Sequence, residues 1–237
     1  MNKDRKIYLP GTDKQFRHLK NQAQWDGSDV LIIGSNSENI AEMFLDTGAK
    51  SVIIILDDYD SLLKARYLLK SRKHISVRLM DFSNTDFKDA AFDIIYAQAS
   101  ISNPLRNKIL REIKRIIKKD GLLSVGEIVS LKESVPKFVN DIWDSGNMLP
   151  LSSDKLTEYY EGRNFEVVSL LDLSLYLRDF YLESKKLLAN KMDSLSENEK
   201  SYYKKLLKRI SHESNAYLKL DGKDYMGFTS IIVRKRT

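Results

Sequence analysis

The run Val30-Leu31-Ile32-Ile33-Gly34-Ser35-Asn36-Ser37-Glu38-Asn39 decides the fold. Four apolar residues read as a buried strand that ends on a glycine and a small-polar turn. Ile40, Ala41, Phe44 and Leu45 then recur at helical spacing, and Gly48 supplies a left-handed stop. A strand that turns through glycine into a helix presents backbone N–H groups at the helix start. The polar or anionic part of a nucleotide-like ligand can sit there. Such loops usually carry two or three glycines, and this one has a single glycine, so Gly34, Ser35 and Asn36 are the residues it offers.

Ser51–Leu56 is almost continuously β-branched or apolar, which suits a central parallel strand covered on both faces. Asp60 is placed to cap a helix carrying Leu62, Ala65 and Leu69. Ile75–Leu79 and Phe92–Ala97 read as two further strands. Asn103-Pro104 predicts a helix start, with asparagine at the cap and proline at the first helical position. Leu105, Ile109, Leu110, Ile113 and Ile116 line one face of that helix, and Lys119-Asp120-Gly121 turns the chain into a strand over Leu122–Ile128. Five strands with helical crossovers predict an α/β, doubly wound sheet.

The second half changes character. A short amphipathic segment, Val135–Trp143, precedes a helix capped by Ser152 or Ser153, and Asn164 stands where positive φ is required. Phe165–Leu170 reads as a strand, helical patterns cover 173–190 and 197–218, and Tyr225–Arg234 reads as the last strand. The expectation is one domain over 1–237: a core at 29–170, a helical cap insertion at 171–224 and a closing strand at 225–235. Its sheet is mostly parallel and seven-stranded, with an antiparallel C-terminal strand.

Composition narrows the function. Of 237 residues, 42% are hydrophobic and 30% charged, as in an ordinary globular protein. There is no cysteine, which excludes disulfides, thiolate metal sites and cysteine nucleophiles. No His/Asp/Glu cluster has ligand spacing, so no metal is expected. No stretch reaches the roughly 18 apolar residues of a membrane span, and no secretory signal is evident at the N-terminus; a cytoplasmic location is expected. The net charge of +6 admits nucleic acid as a partner. The cations are nevertheless interspersed with acids and do not interleave with aromatics, so a small-molecule partner is favoured.

Ligands of open α/β sheets bind beyond the carboxyl ends of the strands. After the first strand come Gly34, Ser35 and Asn36; after the second, Asp57 and Asp58; after the third, Asp81 and Phe82; after the fourth, Ala97, Gln98 and Ala99. A carboxylate after the second strand can accept both hydroxyls of a ribose. An acid beside an aromatic after the third suits adenine.

In this order and spacing the residues resemble the class I S-adenosylmethionine-dependent methyltransferases, over roughly 29–165. Phe92-Asp93-Ile94-Ile95 matches that family's fourth strand, and Leu110-Arg111-Glu112-Ile113-Lys114-Arg115-Ile116-Ile117-Lys118 matches the helix before its glycine turn. Asn164-Phe165 stands where the family has Gly-Phe. The resemblance implies S-adenosylmethionine as cofactor and methyl transfer by positioning and desolvation. It also departs from the family. Ile32 replaces the loop acid, and Asn36 and Glu38 replace glycines. Strict spacing would put Leu56 rather than Asp57 at the ribose. Asparagine tolerates a left-handed conformation, so Asn36 can keep the turn. Trp143, Tyr176, Tyr181, Tyr202, Tyr203 and Tyr217 are candidates to line a substrate pocket under the helical insertion, led by Trp143, Tyr176 and Tyr217. No general base is identified, since His18, His74 and His212 are isolated. Two alternatives stand beside a small-molecule methyltransferase: a non-catalytic protein of the same fold acting through a partner, and an RNA methyltransferase.

Overall fold

The computed structural model describes residues 5–194 and 196–236, without the side chains of 191–194, 197–203, 205, 206 and 209. The strand that opens the sequence pattern is the centre of the molecule. β1 (Asp29–Ile33) pairs in parallel with β2 (Ser51–Leu56) on one side and β4 (Phe92–Gln98) on the other. β3 (Ile75–Leu79) flanks β2, and β5 (Ile117–Ser130) flanks β4, both in parallel. The two-residue β6 (Leu151–Ser152) adds to β5. β7 (Phe165–Asp172) and β8 (Met226–Lys235) complete the order β3-β2-β1-β4-β5-β8-β7, with β8 antiparallel to both neighbours.

Side-chain alternation along β1 sends successive residues into opposite layers. Val30 and Ile32 pack with Phe16 and Leu19 of α1 (Lys14–Gln22), Phe44 of α2 (Glu38–Asp46) and Leu62 of α3 (Tyr59–Leu69). Leu31 and Ile33 pack with Ile109 and Ile113 of α4 (Arg106–Ile116) and with Tyr160 of α6 (Leu156–Glu161). Both layers are sealed by large side chains. Phe44 makes edge contacts with Phe16 at 5.0 Å and Tyr96 at 5.6 Å. Each such fully buried side chain stabilises the fold by about 1.5–3 kcal/mol.

A third cluster forms over Ile128, Met226 and Phe228, at the rim where β5 ends. Onto it pack α5 (Lys137–Ser145), α7 (Leu177–Ser194) and α8 (Glu197–Lys219). The α7–α8 pair lies between β7 and β8, where the sequence pattern places a helical insertion.

Four local features differ from expectation. Asp58, not Asp60, caps α3, accepting from the Ser61 N–H at 2.8 Å. Helix α4 begins at Arg106, because Asn103 accepts from Leu105 N–H at 2.8 Å and closes a turn ahead of the helix. Residues 118–121 are a bulge inside β5, opposite the register shift between Phe92 and Ile94, and not a separate turn. Helix α1 was not anticipated. Its nine residues carry only Phe16 and Leu19 as an apolar signal, and its other buried members are the polar Gln15 and His18.

Candidate active site

Residues at the carboxyl rim of the sheet are set by how each strand ends. After β1, Gly34 adopts φ +114°, and its N–H donates to Ile55 O at 3.0 Å. A Cβ at this position would lie 2.6 Å from Ser100 Cβ, so glycine is required for the loop after β4 to approach. Asn36 is left-handed at φ +59°, as the turn demands, and its side-chain oxygen accepts from Lys64 Nζ at 2.6 Å. Ser37 turns its hydroxyl back to Gly34 O, so helix α2 starts without a side-chain cap. Its first N–H groups, beside the half-buried Ser35, are therefore open to an acceptor from outside the helix. Glu38 occupies the first turn, where the helix dipole favours an acid.

β2 ends with Leu56 buried in the core, so Asp57 is the residue that reaches the rim; its carboxylate is exposed and has no partner among the described residues. Asp81, after β3, accepts through one oxygen from Ser83 N–H and Ser83 Oγ, both at 2.8 Å. Those bonds hold its carboxyl below the ordinary carboxylate range. Phe82 turns inward and packs under α4. Asp57, Asp81 and Phe82 line one cleft of about 520 Å³, with Leu79, Met80, Asn103, Leu105 and Ile109 as its other walls. Two carboxylates thus face a mostly apolar slot.

The remaining expected contacts lie elsewhere. Asp58 is engaged as the α3 cap. Ala97 is fully buried within β4, its carbonyl accepting from Gln15 Nε2 at 3.2 Å. Gln98 points inward and is 4% exposed. Its amide nitrogen donates to Pro10 O at 2.7 Å and Thr12 O at 2.8 Å, while its oxygen accepts from the Tyr96 hydroxyl at 2.7 Å. The cause is an N-terminal strap, residues 6–12, which crosses the end of β4 and is also tied to α2 by Asn39 Nδ2 donating to Lys6 O. At this strand the rim residues are Ala99, itself left-handed at φ +55°, and Ser100.

The structure brings Trp143, Tyr176 and Tyr217 into the third cluster, with Ala99 at its edge. Tyr217 stacks on Tyr181 at 4.5 Å, and burial pushes its phenol up to about 12. Lys14 Nζ stands 5.1 Å over the Tyr176 ring. Trp143 Nε1 and Ser100 Oγ are buried without a hydrogen-bond partner among the described residues. The side chains of Tyr202 and Tyr203 lie outside the described residues.

One group of residues behind the rim was missed. Glu127 of β5 is fully buried and pairs with Arg106 of α4 at 3.0 Å. Its carboxylate also accepts from the Tyr160 hydroxyl at 2.7 Å and from Ser102 Oγ. Arg106 in turn donates to Leu149 O at 2.7 Å. The network clamps the loop after β4, the start of α4 and the chain leading into β6. A lone carboxylate within the apolar run Leu122–Val129 was the available signal, because a buried charge needs a partner.

Comparison with known proteins agrees with this fold. Residues 31–125 match the model of a family described as a methyltransferase domain. A SAM-dependent methyltransferase from Thiobacillus denitrificans, solved with S-adenosylhomocysteine, superposes with a TM-score of 0.69 at 14% identity, covering 97% of this chain and 94% of that one. The (4+2) cyclase SpnF superposes with a TM-score of 0.77 at 20% identity, covering 95% and 81%. The phosphoethanolamine N-methyltransferase 2 of Haemonchus contortus, solved with S-adenosyl-L-methionine, gives 0.77 at 13% identity, covering 95% and 53%. No curated protein matches the sequence. The chain therefore has the class I S-adenosylmethionine-dependent methyltransferase fold, as its motifs led one to expect. No described helix is long and apolar enough to cross a membrane.

Proposed function

We propose that the protein binds S-adenosylmethionine and transfers its methyl group to a small-molecule acceptor in the cytoplasm. The observation that carries this reading is the cleft that gathers Asp57, Asp81 and Phe82 beyond the ends of β2 and β3. These residues fit the nucleoside half of the cofactor. Asp57, free of partners, would hold the ribose diol, and the unengaged oxygen of Asp81 would accept from the adenine amine. Phe82, Leu105 and Ile109 would cover the base. The uncapped start of α2, with Gly34, Ser35 and Asn36, would receive the carboxylate end. The bound cofactor supplies an electrophilic methyl group. The chain's own part is then to orient an acceptor in line and keep water out, so no metal is required. Trp143, Tyr176 and Tyr217 are the proposed acceptor-side residues.

Calorimetric titration with S-adenosylhomocysteine tests the reading. Saturable binding is expected, weakened by about 1–3 kcal/mol in Asp57→Ala and in Asp81→Ala for a lost charged hydrogen bond. Unchanged affinity in both variants would discard the site. A second reading is favoured by two features: Ser100 packs on Gly34, and Glu38 adds negative charge where the cofactor's carboxylate would lie. On that reading the fold serves a partner or a reaction other than methyl transfer. Binding of adenosine without binding of S-adenosylmethionine would select it.

A further inference from the structure

A second cleft, of about 670 Å³, lies between α4 and the turn from α6 to β7. It shares no lining residue with the nucleoside cleft. Arg111 and Lys114, one helical turn apart on α4, face Arg163 across it. None of these three cations has a carboxylate within 4.0 Å among the described residues. The single acid in the lining, Glu161, is paired with Arg236 at 3.4 Å. Like charges gathered without a counter-charge repel, and an anion between them removes that repulsion.

Arg163 is also held in place before any ligand arrives. Its Nε donates to Asn107 Oδ1 at 2.7 Å and its Nη1 to Tyr159 O at 2.8 Å, and the guanidinium lies 3.4 Å over the Tyr159 ring. Nη2 has no partner. Lys114 Nζ donates to Arg163 O at 3.0 Å and stands 5.9 Å over the Phe165 ring, which fixes the ammonium beside Arg163 and leaves two of its protons without a hydrogen-bond acceptor among the described residues. Arg111 is exposed and makes no hydrogen bond or ion pair among the described residues. Two fixed cations, the guanidinium of Arg163 and the ammonium of Lys114, with the exposed guanidinium of Arg111 suit an acceptor with several oxygens, and pre-ordering lowers the entropy lost on binding.

We propose that this cleft binds a phosphate-bearing small ligand at a site separate from the nucleoside cleft. Nucleic acid is disfavoured as the occupant, because the Tyr159 ring is covered by Arg163 and the cleft lining offers no ring for base stacking.

Titration with inorganic phosphate and with pyrophosphate, at constant ionic strength, is the test. Pyrophosphate is expected to bind saturably at one site and more tightly than phosphate. Arg111→Gln and Arg163→Ala should each weaken it by about tenfold or more, the effect of a lost charge-assisted contact. Binding of S-adenosylhomocysteine should be the same in both variants as in the wild type. Arg111→Gln removes no hydrogen bond or ion pair among the described residues, so it remains informative even if Arg163→Ala disturbs the turn. Absence of saturable binding, equal binding by both variants, or displacement of pyrophosphate by S-adenosylhomocysteine would overturn the proposal. So would an oligonucleotide binding more tightly than pyrophosphate with a steep salt dependence, which would make the cleft a nucleic-acid contact.

Discussion

The ends of β2 and β3 and the end of β4 lie on one rim of the sheet, yet their polar side chains are used in opposite ways. At β2 and β3, Asp57 and Asp81 stand exposed with acceptor capacity to spare. At β4 the N-terminal strap crosses the strand end, and Gln98 is drawn inward to hold it. Behind the same end, Glu127 and Arg106 neutralise one another out of contact with water. A polar group at a strand end is thus free to meet a ligand only where no other segment satisfies it first. The β2–β3 half of the rim is where binding should be measured, and the β4–β5 half is where stability should be measured.

The sharpest way to break this comparison is Glu127→Ala. It strands the Arg106 charge in the interior and should lower stability to urea by about 3–5 kcal/mol. Asp57→Ala should move the same transition by no more than about 0.5 kcal/mol, as for a surface change. Gln98→Ala comes next. It leaves the carbonyls of Pro10 and Thr12 and the Tyr96 hydroxyl without their partner, for about 1–3 kcal/mol of stability. Limited proteolysis should then cut the strap first. A loss of S-adenosylhomocysteine affinity in Gln98→Ala larger than that in Asp57→Ala would reverse the assignment of the two halves.

Gly34→Ala joins the halves, since its new Cβ would meet Ser100 while its φ of +114° disfavours any side chain. The expected destabilisation is upward of about 1 kcal/mol. Adding Ser100→Gly should recover the steric part and leave the backbone part, which thermal melts of the single and double variants can separate. The smallest effect concerns His18, buried between Ser230 Oγ and Ser169 Oγ, each at 2.8 Å. Burial lowers its pKa from 6.5, so the fold favours the neutral ring. The unfolded chain takes up a proton first as pH falls, so this contribution is full above about pH 6.5 and is lost below it. Urea midpoints between about pH 7 and 5.5 should decline in the wild type and flatten in His18→Gln.

The parts of the site legible in the sequence are those that depend on neighbours along the chain. Gly34 and Asn36 announce a turn through their own backbone preferences, and Asp57 and Asp81 announce strand ends by following apolar runs. The parts that were not legible depend on distant segments. Gln98 sits at a strand end as a ligand contact would, and nothing near it in sequence reveals that Thr12, 86 positions away, is its acceptor. Asp58 and Asp60 are equally good caps by type, and only the start of α3 at Tyr59 decides between them. Trp143, Tyr176 and Tyr217 come from three separate segments, and their meeting in one cluster is a consequence of how α5, α7 and α8 fold over the end of β5.

Periodicity and turn chemistry in the sequence alone determined the alternation of strands and helices, the glycine turn and the two carboxylates beyond β2 and β3. These follow from forces that act within a few residues: side-chain alternation, helical spacing and the sterics of φ. Tertiary structure alone decided which polar groups remain free. It closed the strap over Gln98, buried Glu127 against Arg106, and pinned Arg163 beside Lys114. Hydrogen-bond satisfaction and charge neutralisation are settled by proximity in space, and no local pattern encodes that.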